Sequence, residues 1–289
     1  MTLPTLPESK DHNLRLPDGR RLAYAIYGAP VGMPVLYFHG APGSRRSVFP
    51  DMAAAAAQRG VRLIVPERPG YGLSDLSVGR SVDDWTADVK VLTDALGVDR
   101  FSLIGFSMGS LYALACAHAL PAQVERVAIV GGLAPLSVAG VDAGRPAEMR
   151  ALYDLARDDP RALPDAMAPL AGSAAGLIDT MAALGSDVDR ELLAARRPEF
   201  EADFAETLRG GAEGVAGDVV LAANDWTFPL EEILAEVDLW VGTEDCNTPP
   251  AMSRHLASVL PRCRLFDLPG EGHYCLYTRW QEILGRLMA

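Results

Sequence analysis

Phe101-Ser102-Leu103-Ile104-Gly105-Phe106-Ser107-Met108-Gly109-Ser110 is the stretch whose reading decides the fold. Its first four residues form a short apolar run of the kind that fills a buried strand, and Ser110 to Leu120 reads as a helix. Between them lies G-x-S-x-G. Set between strand and helix, this pattern makes a sharp turn that lifts a serine hydroxyl clear of a sheet edge and into a cleft. The turn is crowded, so its flanks must be small. Glycine therefore stands at 105 and 109, while Phe106 and Met108 are free to be large.

Outward from this turn, strand and helix signals alternate. Leu22 to Tyr27 alternates with period two after the turn Pro17-Asp18-Gly19, as one arm of an N-terminal hairpin. Val35 to Phe38 and Val61 to Val65 are apolar strand runs, and Val48 to Arg59 is alanine-rich and helical. Val82 to Leu96 has helical spacing, with Ser81 as N-cap and Gly97 just past the end. Downstream, Val124 to Val130, Val237 to Val241 and Arg264 to Leu268 read as strands, and Ala251 to Leu260 and Tyr277 to Met288 as helices. This predicts an α/β chain: a mostly parallel sheet covered by helices on both faces. Ala134 to Phe228 breaks the alternation. It has helical spacing, Gly and Pro breaks, and 17 acidic residues against 8 arginines. We read residues 134–228 as a helical insertion into a core formed by residues 1–133 and 229–289.

Composition bounds the function. The 289 residues are 49% hydrophobic and 22% charged, enough to bury a large core. The net charge of −12 suits solubility and argues against nucleic acid as a partner, because phosphate binding needs clustered Lys and Arg. Met1 to Leu16 is polar and proline-punctuated, without the apolar run of a secretory signal. Phe101 to Val124 is uncharged and as long as a membrane span, but it contains the serine turn and His118, and Pro121 interrupts its end. A buried strand followed by a buried helix accounts for it, so the expected setting is the cytoplasm, with no membrane partner. Cys116, Cys246, Cys263 and Cys275 show no zinc or redox spacing, so reduced thiols and no metal are expected.

A serine hydroxyl is a poor nucleophile unless a base lies within hydrogen-bond reach and a third group fixes that base. Of five histidines, His273 is the best base, because Pro269-Gly270-Glu271-Gly272-His273 follows an apolar strand. His12 lies in the frayed start, His118 and His255 lie within helices, and His39 belongs to another motif. The third group is a carboxylate after Val237 to Val241. Asp245 is preferred and Glu244 is its close rival, since neighbours point in different directions and only one can serve. A carbonyl under attack also needs preorganised N–H donors. Met108, which follows the serine, supplies one. His39-Gly40-Ala41-Pro42-Gly43 follows a buried strand as a tight loop in which Ala41 keeps its N–H. Arg45 and Arg46 read as a solvated pair or as a grip on an acidic substrate group.

Taken together these motifs resemble the α/β-hydrolase superfamily over nearly the whole chain. His39 to Gly43 is similar to the family's oxyanion loop, and Arg68-Pro69-Gly70-Tyr71-Gly72-Leu73-Ser74-Asp75 to its R-P-G-x-G-x-S-D loop. Gly105 to Gly109 resembles its nucleophile turn, and Gly242-Thr243-Glu244-Asp245 and Gly270-Glu271-Gly272-His273 its acid and histidine loops. The resemblance puts the acid at Asp245, makes Asp75 structural, and implies a helical cap where residues 134–228 are inserted. Serine at 107 separates the chain from similar epoxide and haloalkane hydrolases, which attack with a carboxylate. The expected activity is cofactor-free cleavage of a small-molecule acyl bond, an ester or lactone before a thioester or amide. C–C bond hydrolysis, peracid formation, a modified biosynthetic step and a non-catalytic ligand-binding role are the alternatives. Gly40, Phe106 and Trp226 are the expected substrate-binding residues, with Phe106 as the floor of the pocket.

Overall fold

The computed structural model describes residues 10–169 and 172–289; the first nine residues of the polar N-terminal stretch lie outside this range. Among the described residues, eight strands form one sheet: β1 (Lys10–Arg15), β2 (Arg21–Gly28), β3 (Met33–Phe38), β4 (Val61–Pro66), β5 (Phe101–Phe106), β6 (Val124–Val130), β7 (Glu236–Gly242) and β8 (Cys263–Leu268). Their order is β1-β2-β4-β3-β5-β6-β7-β8. The β1–β2 and β2–β4 pairings are antiparallel, and all pairings from β4 through β3 to β8 are parallel. The hairpin expected around Pro17-Asp18-Gly19 is present, and it orders His12, which the polar sequence alone places in a frayed start. His12 sits on β1 opposite Tyr24 and stacks on its ring at 5.0 Å.

Period-two alternation sorts the strand side chains between two apolar layers. Leu36, Phe38 and Leu103 face a cluster that includes Trp85 and Leu92 of α2 (Val82–Ala95), Leu111 of α3 (Gly109–Ala119) and Leu256 of α10 (Pro250–Val259). Val35, Tyr37 and Ile104 face the other, with Met52 of α1 (Pro50–Gln58) and Trp280 and Ile283 of α11 (Cys275–Leu287). The caps read from sequence are in place. Ser81 accepts from the Asp84 N–H while Asp84 accepts from the Ser81 N–H, and Gly97 at φ 64° ends the same helix. The apolar stretch from Phe101 is β5 followed by α3, both buried almost throughout. No helix among the described residues is long and apolar enough to cross a membrane.

Between β6 and β7 the described residues form six α-helices and no strand: α4 (Ala147–Asp158), α5 (Leu163–Met167), α6 (Ala174–Leu184), α7 (Asp187–Ala195), α8 (Arg197–Thr207) and α9 (Glu213–Ala223). The sheet order itself marks a place for a ligand. β3 and β5 are neighbours, with β4 on the far side of β3, so the chain reverses direction across the sheet at this point. Ligands of open α/β sheets bind in the crevice such a reversal leaves at the carboxyl ends of the strands.

Candidate active site

Four loops leave the carboxyl ends of β3, β5, β7 and β8, and each delivers one part of the site. The β5 turn is the tightest. Ser107 has φ 52°, a left-handed conformation that is rare and costly for a residue with a Cβ. It is held by hydrogen bonds from the Ser107 N–H to the Val130 carbonyl and from the Ser110 N–H to the Ser107 carbonyl, each 2.9 Å. The small flanks are explained by close approach. A Cβ on Gly109 would lie 2.1 Å from the Phe38 carbonyl oxygen, and one on Gly105 2.8 Å from the Ala113 Cβ. Helix α3 can start this close to β3 only with glycine there.

The structure brings Ser107, His273 and Asp245 together. Ser107 Oγ lies 2.9 Å from His273 Nε2, and His273 Nδ1 lies 2.9 Å from Asp245 Oδ2. With Asp245 as acceptor, Nδ1 carries the proton and Nε2 is the free base facing the serine. Asp245 is fully engaged: Oδ1 accepts from the N–H groups of Asn247 and Thr248 at 2.9 and 2.8 Å, and Oδ2 also accepts from the Thr248 hydroxyl at 2.8 Å. Glu244 is exposed, and its N–H donates to the Glu271 carbonyl. Burial opposes charge on His273, yet Asp245 through its charge and hydrogen bond, helped by Asp189, holds the imidazole above its ordinary pKa. His39 behaves oppositely. Burial and the charge of Arg68 push it well below the ordinary value, so it stays neutral.

Ala41 and Met108 line the same small cavity as Ser107 and His273, together with Gly40 and Phe106. No hydrogen bond among the described residues uses the N–H of Ala41 or Met108. A Cβ on Gly40 would lie 3.2 Å from the Phe106 ring, which is 5.2 Å from the His273 ring. Trp226 does not join them. It stacks on Phe228 against the core cluster under α3 and lines neither this cavity nor the larger one beside it. Its indole follows the apolar packing of the segment's end, so the sequence expectation of a substrate contact is corrected. Arg45 is corrected as well. It is fully buried, and its guanidinium pairs with Asp11, Glu67 and Glu206 at 2.6–2.7 Å, leaving only Arg46 near solvent.

Sequence reasoning missed how the inserted helices grip the site loops. Asp218 of α9 is wholly buried and accepts from Arg68 Nε (2.7 Å), Tyr71 and Tyr112 hydroxyls (2.6 Å each) and Arg80. Arg68 in turn donates to the His39 and Gly40 carbonyls at 2.6 and 2.8 Å. Asp203 of α8 accepts from the Ser44 and Ser47 hydroxyls at 2.6 and 2.8 Å, and Thr207 accepts from the Gly43 N–H at 3.0 Å. Asp189 of α7 accepts from the Tyr274 N–H at 3.0 Å, next to His273. In a segment with 17 acids nothing in sequence separates these three from a solvated face. Arg145, also missed, is buried with its Nε on the Asn247 carbonyl and its guanidinium over the Tyr153 ring. Among the described residues no cluster of three or more His, Cys, Asp or Glu is arranged to hold a metal ion.

This sheet order and these loops define a class, and a comparison of the whole chain agrees: the protein belongs to the α/β-hydrolase fold family, matched over residues 33–279. Curated relatives are more distant. The chain is 33% identical to a non-heme chloroperoxidase of Streptomyces lividans over 42% of its own length and 44% of that protein. It is 31% identical to a 2-hydroxy-6-oxo-2,4-heptadienoate hydrolase of Pseudomonas putida over 37% of this chain and 40% of that one. The chain thus matches less than half the length of these relatives. Among solved structures, the enol-lactonase of Burkholderia xenovorans LB400 superposes with a TM-score of 0.71 at 21% identity, covering 96% of this chain and 99% of that one. At that identity the likeness is one of fold.

Proposed function

We propose that this protein is a serine hydrolase that cleaves the acyl bond of a small molecule, a carboxylic ester or lactone, through an acyl-enzyme. The observation that carries the reading is the relay from Ser107 Oγ to His273 Nε2 and from Nδ1 to Asp245, with Ser107 raised on its strained turn. Ser107 attacks the carbonyl carbon as His273 Nε2 takes its proton, and Asp245 holds the ring's orientation and stabilises the imidazolium. The N–H groups of Ala41 and Met108 receive the oxyanion. When the tetrahedral intermediate collapses, His273 returns the proton to the leaving oxygen, and a water repeats the sequence to release the acid. Residues 134–228 act as the cap: Met149, Tyr153 and Met181 from this segment line the cavity that holds Ser107, which supports a role in excluding water and shaping the site. The test is labelling with a fluorophosphonate and mass spectrometry of the adduct, together with turnover of methyl butyrate. A label on Ser107 that Ser107→Ala abolishes is the expected result. A protein that neither labels nor turns over small esters would overturn the reading.

A further inference from the structure

Two cavities meet at the site, and they differ about tenfold in size. The one that holds Ser107 and His273 measures about 60 Å³ and is completed by Leu133, Asn247 and Thr248. The other measures about 650 Å³ and runs among the inserted helices, with walls that include Leu152, Met167, Leu177, Leu184, Val215 and Val219. Both are lined by Ala41, Pro42 and Met108, and Met149, Tyr153 and Met181 stand between them. The large chamber therefore opens on the oxyanion side and includes neither Ser107 nor His273 in its walls.

This placement fixes which part of a substrate goes where. With the carbonyl oxygen on the Ala41 and Met108 amides and its carbon at Ser107 Oγ, the leaving oxygen must face His273 Nε2, which protonates it. That side is the small cavity, which has room for only a few water-sized groups. The acyl substituent takes the remaining direction, into a chamber within the size range of sites that enclose whole organic ligands. Charge narrows the class further. Among the described residues no lysine, arginine or histidine lines the chamber. Its two carboxyl side chains are Glu148 and Asp179, both exposed, and Asp179 is paired with Arg197. The buried cations nearby, Arg68, Arg80 and Arg145, line neither cavity. A carboxylate on the acyl chain between these walls would meet apolar side chains and two acids, with no lining cation to receive it.

We infer that the preferred substrate, given the acyl-transfer reading on which this rests, is a neutral ester with a long apolar acyl chain and a leaving alcohol of only a few heavy atoms. The chamber holds the chain, and the cavity around His273 holds the alcohol. Isomeric esters test the direction. Along the methyl esters from butyrate to decanoate, kcat/KM should rise about fourfold per buried methylene. Methyl decanoate should exceed its isomer nonyl acetate, whose long chain is on the alcohol, by about 100-fold or more. Calorimetry on Ser107→Ala tests the chamber apart from the chemistry: methyl decanoate should bind at least about tenfold more tightly than the monomethyl ester of decanedioic acid. Equal turnover of the two isomers, a preference for nonyl acetate, or equal binding of the two methyl esters would overturn the inference. If instead Ser107 takes no fluorophosphonate and methyl butyrate is not hydrolysed, the acyl-transfer reading falls, and the calorimetric pair alone decides whether the chamber takes a neutral chain.

Discussion

Asp218→Asn is the perturbation with the most to say about how this site is built. The wild-type carboxylate is wholly buried and faces two guanidinium groups, of Arg68 and Arg80, themselves almost without solvent. The amide removes the only carboxylate paired with either of them, among the described residues, and puts an NH2 where an oxygen had accepted from a guanidinium and a tyrosine hydroxyl. Breaking one partner out of a buried ion pair typically costs about 3–5 kcal/mol. The electrostatics of the carboxylate point the same way. Burial raises the Asp218 pKa, but Arg68 and Arg80 with the two tyrosine hydroxyls outweigh it and bring the group from 3.8 to about 2. That depression favours the folded carboxylate by a few kcal/mol at most, roughly 2–3. Its sign is that of a lowered acid: the contribution is complete above pH 4 and is lost as pH falls through 2. Against a typical total of about 5–15 kcal/mol, urea unfolding at pH 7 should show a loss of about 3 kcal/mol or more. Arg68 also holds the His39 and Gly40 carbonyls. The folded variant should therefore lose about 10- to 100-fold in kcat/KM, less than the 10²–10³ of removing an oxyanion donor outright. A variant within 1 kcal/mol of wild type would refute the buried-pair argument. Lost stability with unchanged turnover in the folded protein would refute the link to the oxyanion loop.

Other perturbations test the same geometry. Ser107→Ala should lose about 10⁴-fold or more in kcat with an unchanged circular dichroism spectrum; turnover near wild type would remove Ser107 as nucleophile. Asp245→Asn should lose most activity because an amide favours the wrong imidazole tautomer, whereas Glu244→Gln, on an exposed side chain, should change kcat/KM less than about twofold. The pH profile of kcat/KM should rise through a pKa above 6.5, since the base must be neutral and Asp245 holds the imidazolium against burial; Asp245→Asn should move that limb downward. Burial raises the Asp203 carboxyl from 3.8 to about 7, so the folded protein keeps a proton there that the unfolded chain has released. Its contribution to stability should fall as pH rises through that window, and Asp203→Asn should flatten this part of the curve in thermal melts.

Much of this fold is legible in the sequence because the core elements carry local signals. β5, its turn and α3 announce themselves through one apolar run and two glycines that no larger residue can replace. Ser81 and Gly97 mark the ends of α2 by backbone chemistry that operates within three residues. What separates Asp245 from Glu244 lies in three dimensions, where Thr248 and the Asn247 N–H close around one carboxylate and leave the other in water. The inserted segment hides more. Which of its acids are buried depends on partners 85 to 159 positions away, and no local pattern encodes such a partner. β1 is hidden for the same reason, since its six residues, all polar but Leu14, become a strand only by pairing with β2. Arg45 and Trp226 mislead because a charge beside a site loop and a tryptophan at a segment's end each look the same in sequence whether they meet ligand or core.

The three buried aspartates bear on how such a chain can be re-engineered. Residues 134–228 look like a module that another helical insert might replace, since both ends join the sheet at adjacent strands. Asp189, Asp203 and Asp218 make it a fitted part. A foreign insert without counterparts to them would leave Arg68 and Arg80 as unmatched cations in the interior, and would release the Ser44–Ser47 turn and the Tyr274 amide at the same time. Such a graft should fail in folding before its selectivity can be read. Selectivity is better altered one wall position at a time, at apolar residues such as Leu152 or Leu177, which line the chamber.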